Sequence, residues 1–314
     1  MSNAFYPSFF RWVFVIGVLI PFILIPQLLF SGYVVNFDKL HKNNLSSSEY
    51  VPLIGNLMTV RWSFEALAVE QFKNNKYERN IFKYQQGFSQ NDWYSGFLIN
   101  DILKRKMEEC LKLKDSVAFR EKTENNFYKL NFYIEQLDRL AGFGQQNGIL
   151  KTPLSAGNFN QEIANETGKH LDSLSRHFQH VRRRYLKQLD SVNRAIENKT
   201  SNGNEEYAKL KASYHNNQLE SLVLDRFGVK KYIETDKKII QKLEPAYMIP
   251  TSKSGRTHFY APYKQVGSLK IDTYWFNLLV LWVVSLLLYI ALYYNLFQKI
   301  VEGLGNVKLK EASK

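Results

Sequence analysis

The chain has 314 residues, 45% of them hydrophobic and 23% charged, with a formal net charge of +13. That is enough apolar material to bury a full core, and the length suggests two domains of ordinary size. The one cysteine, Cys110, excludes an intramolecular disulfide, so any extramembrane domain must be held by packing alone. The apolar residues gather at the two ends while the middle reads as charged helical sequence, so a mean hydropathy of -0.32 conceals two segments suited to lipid. Most of the positive excess lies between those segments. It reads as solvated surface, with attraction to anionic lipid headgroups as its functional consequence.

From Trp12 to Asn36 no side chain is charged, a run longer than the ~20 residues needed to cross a bilayer as helix. It also exceeds the ~7–15-residue core of a signal peptide and is closed by no small-x-small cleavage pattern, so an uncleaved span is expected. Pro21 and Pro26 fall inside it. Each removes a backbone donor, which predicts a kink or a broken helix. Gln27 sits beside them, and its amide reads as a helix–helix contact rather than a substrate ligand.

A polar stretch follows, then Val51-Pro52-Leu53-Ile54-Gly55-Asn56-Leu57-Met58, apolar but too short to cross. Such a segment suits a re-entrant or interfacial piece lying against the outer leaflet. Arg61-Trp62-Ser63-Phe64-Glu65-Ala66-Leu67 continues as an amphipathic helix in which Arg61 and Trp62 are expected to act as interfacial anchors.

Further on, Phe127, Leu130, Ile134, Leu137 and Ala141 alternate at steps of three and four, the seam of a helix packed along another. Leu171, Leu174, Phe178, Val181, Tyr185, Leu189, Val192 and Ile196 extend the same spacing over a longer helix. The Asn202-Gly203 turn breaks it, and Tyr207, Leu210 and Tyr214 then face back from a third helix, predicting an antiparallel hairpin. Gly142 to Asn160, rich in Gly, Asn and Gln, reads as the loop between the first two of these helices.

The second uncharged run, Thr273 to Gln298, carries Tyr274, Trp275 and Phe276 at one limit and Tyr289, Tyr293, Tyr294 and Phe297 at the other. Aromatic rings at both limits suit the headgroup zone, and the lysine-bearing tail beyond points to a cytoplasmic C-terminus. Two spans then put both termini on that side and the central domain outside. The reading divides the chain as 1–36 first transmembrane helix, 37–90 interfacial short helices, 91–262 extracytoplasmic helical domain, 263–300 final transmembrane helix and 301–314 cytoplasmic tail. The fold class is an all-α membrane protein with a helical bundle or coiled-coil-like arm between two spans.

Candidate chemistry is sparse. His170, His177 and His180 share one long helix, but no further ligand completes a metal set at a convincing spacing. Arg182-Arg183-Arg184 reads as solvated helix surface, and no nucleic-acid partner is expected. No Gly-x-x-x-x-Gly-Lys-Ser/Thr string is present, nor a Gly-x-Ser-x-Gly elbow or a His-Glu-x-x-His pair. No enzymatic activity, cofactor or metal is therefore assigned to the chain.

Three stretches together resemble the last part of an ABC-2 type exporter permease of the kind fused to an ATPase in some bacterial transporters and related to the ABCG architecture. They are Ile20 to Leu40 with its Pro21-Phe-Ile-Leu-Ile-Pro26-Gln27, Val51 to Glu78 with its Arg61-Trp-Ser-Phe-Glu65-Ala-Leu, and Tyr260-Ala-Pro through Trp275-Phe-Asn to Ile300. The resemblance implies that the first is a penultimate transmembrane helix, the second a set of short outer-leaflet helices capping the translocation path, and the third the final helix. Pro21, Pro26, Gln27, Arg61, Trp62 and Glu65 become the structural or transport candidates. The family's ATPase domain and earlier transmembrane helices have no counterpart in these residues. The resemblance therefore implies a C-terminal permease portion or split subunit in a bacterial inner membrane. Its partners would be the lipid bilayer, further transmembrane helices and an ATPase-bearing subunit through which alone ATP would act. The alternative is a two-pass interaction or sensor protein whose periplasmic helical domain binds a partner or ligand.

Overall fold

The computed structural model describes residues 17–18, 20–35, 37, 49–114, 116–143, 153–197 and 203–296. The first half of the expected N-terminal span, the tail after 296 and the Asn198 to Asn202 part of the expected turn lie outside them. The chain is mostly helical. It divides into two compact units, residues 1–67 with 252–259 and 263–314, and residues 68–251 with 260–262. The helix Thr59–Lys73 contributes residues to both.

In the first unit, α1 (Ile20–Leu29) is apolar and runs unbroken through both prolines. The chain leaves it through Gly32, whose positive φ of 87° suits a residue without a Cβ. A short α2 (Leu53–Leu57) exposes Leu53 and Leu57 and buries Gly55. There a Cβ would come within 2.8 Å of the Phe37 ring, so the position needs glycine's missing side chain. α3 (Thr59–Lys73) begins in this unit.

The expectation of an all-α fold is corrected here. The strands numbered β3 (Tyr263–Val266) and β4 (Leu269–Asp272) pair antiparallel, with Lys264 opposite Ile271, and turn through Gly267 at φ 59°. A second two-stranded antiparallel sheet lies in the other unit. These strands span only three or four residues each, too short for an alternating pattern to stand out against charged sequence.

α10 (Thr273–Tyr293) follows β4 directly, and Asp272 caps it by accepting from the Tyr274 amide at 3.2 Å. It has 21 residues, a mean hydropathy of 2.3 and only 6% of that apolar window buried. Among the described residues it is the one helix both long and apolar enough to cross a membrane. The core helix of a soluble protein would be covered instead. Trp275, Leu279, Trp282, Leu286, Tyr289 and Tyr293 are all exposed, and every such side chain left in water forgoes about 1.5–3 kcal/mol of burial.

The second unit is a bundle around one long helix. α4 (Glu78–Asp92) passes into a π-helical stretch, Trp93–Leu103, and then into α5 (Lys104–Leu113). α6 (Arg120–Ala141) returns antiparallel to α5 and ends on Gly142 in the left-handed conformation, a glycine C-cap. α7 (Gln161–Glu197) runs back along the whole of the long helix, as contacts in reverse order require: Asp172 meets Lys104, Ser175 meets Asn100, and Arg182 pairs with Asp92. Trp93, Ile99, Ile102, Leu103, Phe127, Leu130, Ile134, Leu137, Leu171, Leu174 and Phe178 form the common core. The expected seams are buried from Phe127 to Leu137 in α6 and from Leu171 to Phe178 in α7, while Ala141 and the α7 positions Val181, Tyr185, Leu189, Val192 and Ile196 are only partly covered.

α8 (Gly203–Tyr214) packs against α7 and sets the Tyr207 hydroxyl 3.0 Å from that of Tyr77. α9 (Asn217–Val223) is capped by the Asn216 side chain. β1 (Tyr232–Glu234) and β2 (Ile239–Gln241) make a hairpin on α6. The Tyr133 hydroxyl fixes it, donating to the Ile239 carbonyl at 2.9 Å and accepting from the Ile239 amide at 2.7 Å.

The π-helical stretch had no signal in the sequence. Widening a helix by one residue per turn weakens its own ladder, and the freed groups need partners. The Ser95 hydroxyl donates to the Asn91 carbonyl at 2.8 Å, and the Ser95 carbonyl accepts from the Ser175 hydroxyl at 3.4 Å.

Candidate functional site

The strongest concentration of buried charge lies in the first unit, where the first turns of α3 meet β3 and the start of α10. Arg61 and Glu65 are four apart on α3, so they share a face. Period-two alternation turns Lys264 to the inner side of β3 while Tyr263 and Gln265 flank it less deeply. Asn277 is the polar residue on the first turns of an otherwise apolar helix. Arg61, Glu65, Lys264 and Asn277 are each no more than 1% exposed.

A single carboxylate oxygen organises them. Glu65 Oε2 accepts from Lys264 Nζ at 2.8 Å and from Asn277 Nδ2 at 2.8 Å, and lies 3.4 Å from Arg61 Nη2. Asn277 Nδ2 also donates to the Trp62 carbonyl at 3.0 Å. The face of the Trp62 indole adds cation–π contacts, with the Arg61 guanidinium 4.0 Å and the Lys264 ammonium 4.5 Å from its ring centroid. Its own N–H donates to the Asn56 carbonyl at 2.8 Å, which holds the ring in place.

The electrostatics follow from burial. Desolvation opposes charge on Glu65, but Arg61 and Lys264 outweigh it and hold the carboxyl below its usual range. Lys264 is pushed down to about 8 by burial, with Glu65 working against the shift. Two cations share one anion, so the cluster carries a positive excess in a site shielded from water.

That excess has an outlet. A cavity of about 40 Å³ is lined by Val51, Asn56, Arg61, Trp62, Gly255, Arg256, Thr257 and Lys264. Arg61 Nε and Nη1 and Thr257 Oγ1 are buried without a hydrogen-bond partner. The segment 254–257 forms one wall, tied by Gly255 N–H to the Gln265 carbonyl at 2.8 Å and by Val51 N–H to the Thr257 carbonyl at 3.1 Å.

Of the residues singled out from the sequence, Arg61, Trp62 and Glu65 come together in this cluster. Arg61 is enclosed there, although an anchor at the lipid surface would need its guanidinium outside. Gln27, on α1, stands apart from the ionic cluster but reaches the same α3: its Oε1 accepts from the Thr59 hydroxyl at 2.9 Å and from the Val60 amide at 3.3 Å, capping the start of that helix. Pro21 and Pro26 lie within α1 and join neither group. Lys264 and Asn277 were not anticipated. An asparagine alone near the head of an apolar helix could have signalled a buried partner, whereas nothing about Tyr263-Lys264-Gln265 marks its lysine as internal.

The histidines of α7 are divided among other tasks. His170 Nε2 lies 2.8 Å from Asp138 Oδ1 and joins α7 to α6, and the His177 ring packs edge-on between Phe143 and Phe178. Among the described residues there is no grouping of three potential metal ligands.

No protein-family model, curated protein or solved structure matches this chain.

Proposed function

We propose that the chain is a membrane component of an ABC-2 type exporter, a C-terminal permease portion or split subunit that contributes two transmembrane helices and an extracytoplasmic helical lid. The observation that carries this reading is the bareness of α10, an apolar helix exposed along its length. Lipid or neighbouring transmembrane helices would cover such a surface without cost. α1 adds to it, since Phe22, Ile23, Leu24 and Ile25 are also exposed. Its described part is shorter than a span, and the rest of the expected run lies outside the described residues.

The order of parts supports the exporter reading over a simple anchor. α2 and α3 stand between the two apolar helices in sequence, and α3 engages both, taking its cap from Gln27 of α1 and a hydrogen bond from Asn277 of α10. Short helices tying a penultimate to a final span are what the family resemblance implies. In this reading the two ends of the chain are cytoplasmic in a bacterial inner membrane, the bundle is outside, and ATP is hydrolysed only by a partner subunit.

Purifying the tagged chain in mild detergent tests this directly. An ATPase-bearing subunit should accompany it. Recovery of the chain alone, at detergent concentrations that preserve known transporter complexes, contradicts the exporter reading. The rival, a two-pass protein whose periplasmic bundle binds a partner, draws on Phe227 and Val229, which are 87% and 93% exposed in the loop after α9. A partner lost on Phe227→Asp, with no ATPase recovered, would select it.

A further inference from the structure

The cavity beside the Arg61–Glu65–Lys264 cluster is more than a packing flaw. Its lining contains Arg61, Arg256 and Lys264 and no acidic residue. Glu65 Oε2 already serves Lys264 and Asn277, and its approach to Arg61 is the long one, at 3.4 Å. Arg61 therefore keeps two buried, unpartnered donor nitrogens, and the unpartnered Thr257 hydroxyl shares the same lining. A buried guanidinium with idle N–H groups is expensive unless something accepts from it.

We infer that this cavity is a binding site for one phosphate-class oxyanion. Size, charge and the number of unpartnered donors agree. A water needs about 10–15 Å³ of such space, so about 40 Å³ takes roughly three, the number of terminal oxygens on a phosphate monoester. Arg61 Nε and Nη1 are two buried, unpartnered cationic donors in its lining, and the unpartnered Thr257 hydroxyl is a third. Arg256 is exposed, with its guanidinium 5.0 Å from the Tyr50 ring, and supplies a cation between the site and solvent. Water alone would satisfy the hydrogen bonds and leave the positive excess uncompensated.

The anion has two sources, a free phosphate or a phospholipid headgroup. The second rests on the membrane reading of α10, since Asn277 holds the cluster at the point where that helix's apolar surface begins.

The test is calorimetric titration of the full-length chain in uncharged detergent with inorganic phosphate and, separately, with short-chain phosphatidic acid, using short-chain phosphatidylcholine as the control. At least one of the two anions should bind, and Arg256→Gln and Thr257→Val should each weaken it about tenfold without lowering the melting temperature of the unliganded protein. Phosphate binding without lipid binding identifies a soluble ligand and leaves the inference intact even if α10 proves not to span a membrane. Phosphatidic acid binding alone identifies a headgroup. Failure of both to bind, or binding unchanged in both variants, overturns the inference and leaves a water-filled cavity.

Discussion

Glu65 and Lys264, separated by 199 positions in the chain, meet at 2.8 Å with side chains that are 0% and 1% exposed. The contact joins α3 to β3 directly, and its worth lies in what happens when one partner is removed. A buried ion pair is close to neutral against an apolar replacement, but a buried charge left alone is costly.

Glu65→Ala should therefore be the most damaging single change in the first unit, because it leaves Arg61 and Lys264 facing each other. A loss of about 3–5 kcal/mol is expected, read from denaturant unfolding in detergent micelles. Lys264→Met should cost less, since Glu65 retains Arg61 and Asn277. If Lys264→Met proved the worse of the two, the carboxylate would not be the organising group.

The same lysine gives a pH dependence. Burial holds Lys264 at about 8, while in the unfolded chain it returns to its ordinary value of 10.5. Between those values the unfolded state binds more protons, so the stability this group contributes rises with pH and is lost again as pH falls through about 8. Melting temperatures from pH 7 to 9.5 should show this rising component in the parent protein and not in Lys264→Met. The range stops short of 10 because the buried Tyr77 and Tyr247 hydroxyls are pushed upward by burial and act in the opposite direction at higher pH.

In the second unit, Glu234 at the hairpin accepts from Lys106 at 2.7 Å and Lys129 at 2.6 Å, both lysines being almost fully buried. Glu234→Gln keeps the shape and removes the charge. It should destabilise the bundle by about 3 kcal/mol, and Glu234→Gln combined with Lys106→Met should recover part of that. No recovery would mean that the two ammonium groups find other acceptors.

Tyr133→Phe removes the hydroxyl that satisfies both backbone groups of Ile239. A cost of about 1–3 kcal/mol follows from the orphaned amide, and hydrogen exchange at Ile239 should accelerate while α6 stays protected. Equal acceleration across α6 would show that the hairpin is integral to the bundle core.

The long periodic helices were legible because their pattern repeats: the α6 seam from Phe127 to Leu137 and the α7 seam from Leu171 to Phe178 are buried as the spacing requires. α10 was legible from composition alone. The ionic cluster was only half visible. Arg61 and Glu65 announce themselves as an i,i+4 pair, yet their exposure depends on which segment covers them, and the covering strand comes from the far end of the chain. A lysine in a four-residue strand carries no mark of burial, because its long stem and charged tip suit surface and interior alike. The π-helical stretch was invisible for a different reason. Trp93-Tyr-Ser-Gly-Phe-Leu-Ile carries no residue pattern particular to a widened turn, and the Ser95 carbonyl finds its partner in Ser175 of a distant helix.

The account depends on lipid covering α10, and spin-label accessibility measures that directly. Nitroxide labels at Leu279→Cys, Trp282→Cys and Leu286→Cys in liposomes would report collision with oxygen against a polar nickel complex. The native thiol at Cys110 is buried and pushed up to about 12 by desolvation, so it should remain unlabelled under the same conditions. The account predicts oxygen accessibility well above nickel at all three positions, with the contrast greatest at Trp282 and Leu286 near the helix centre. Nickel accessibility equal to or above that of oxygen along α10 would place the helix in water and contradict the membrane role proposed for the chain.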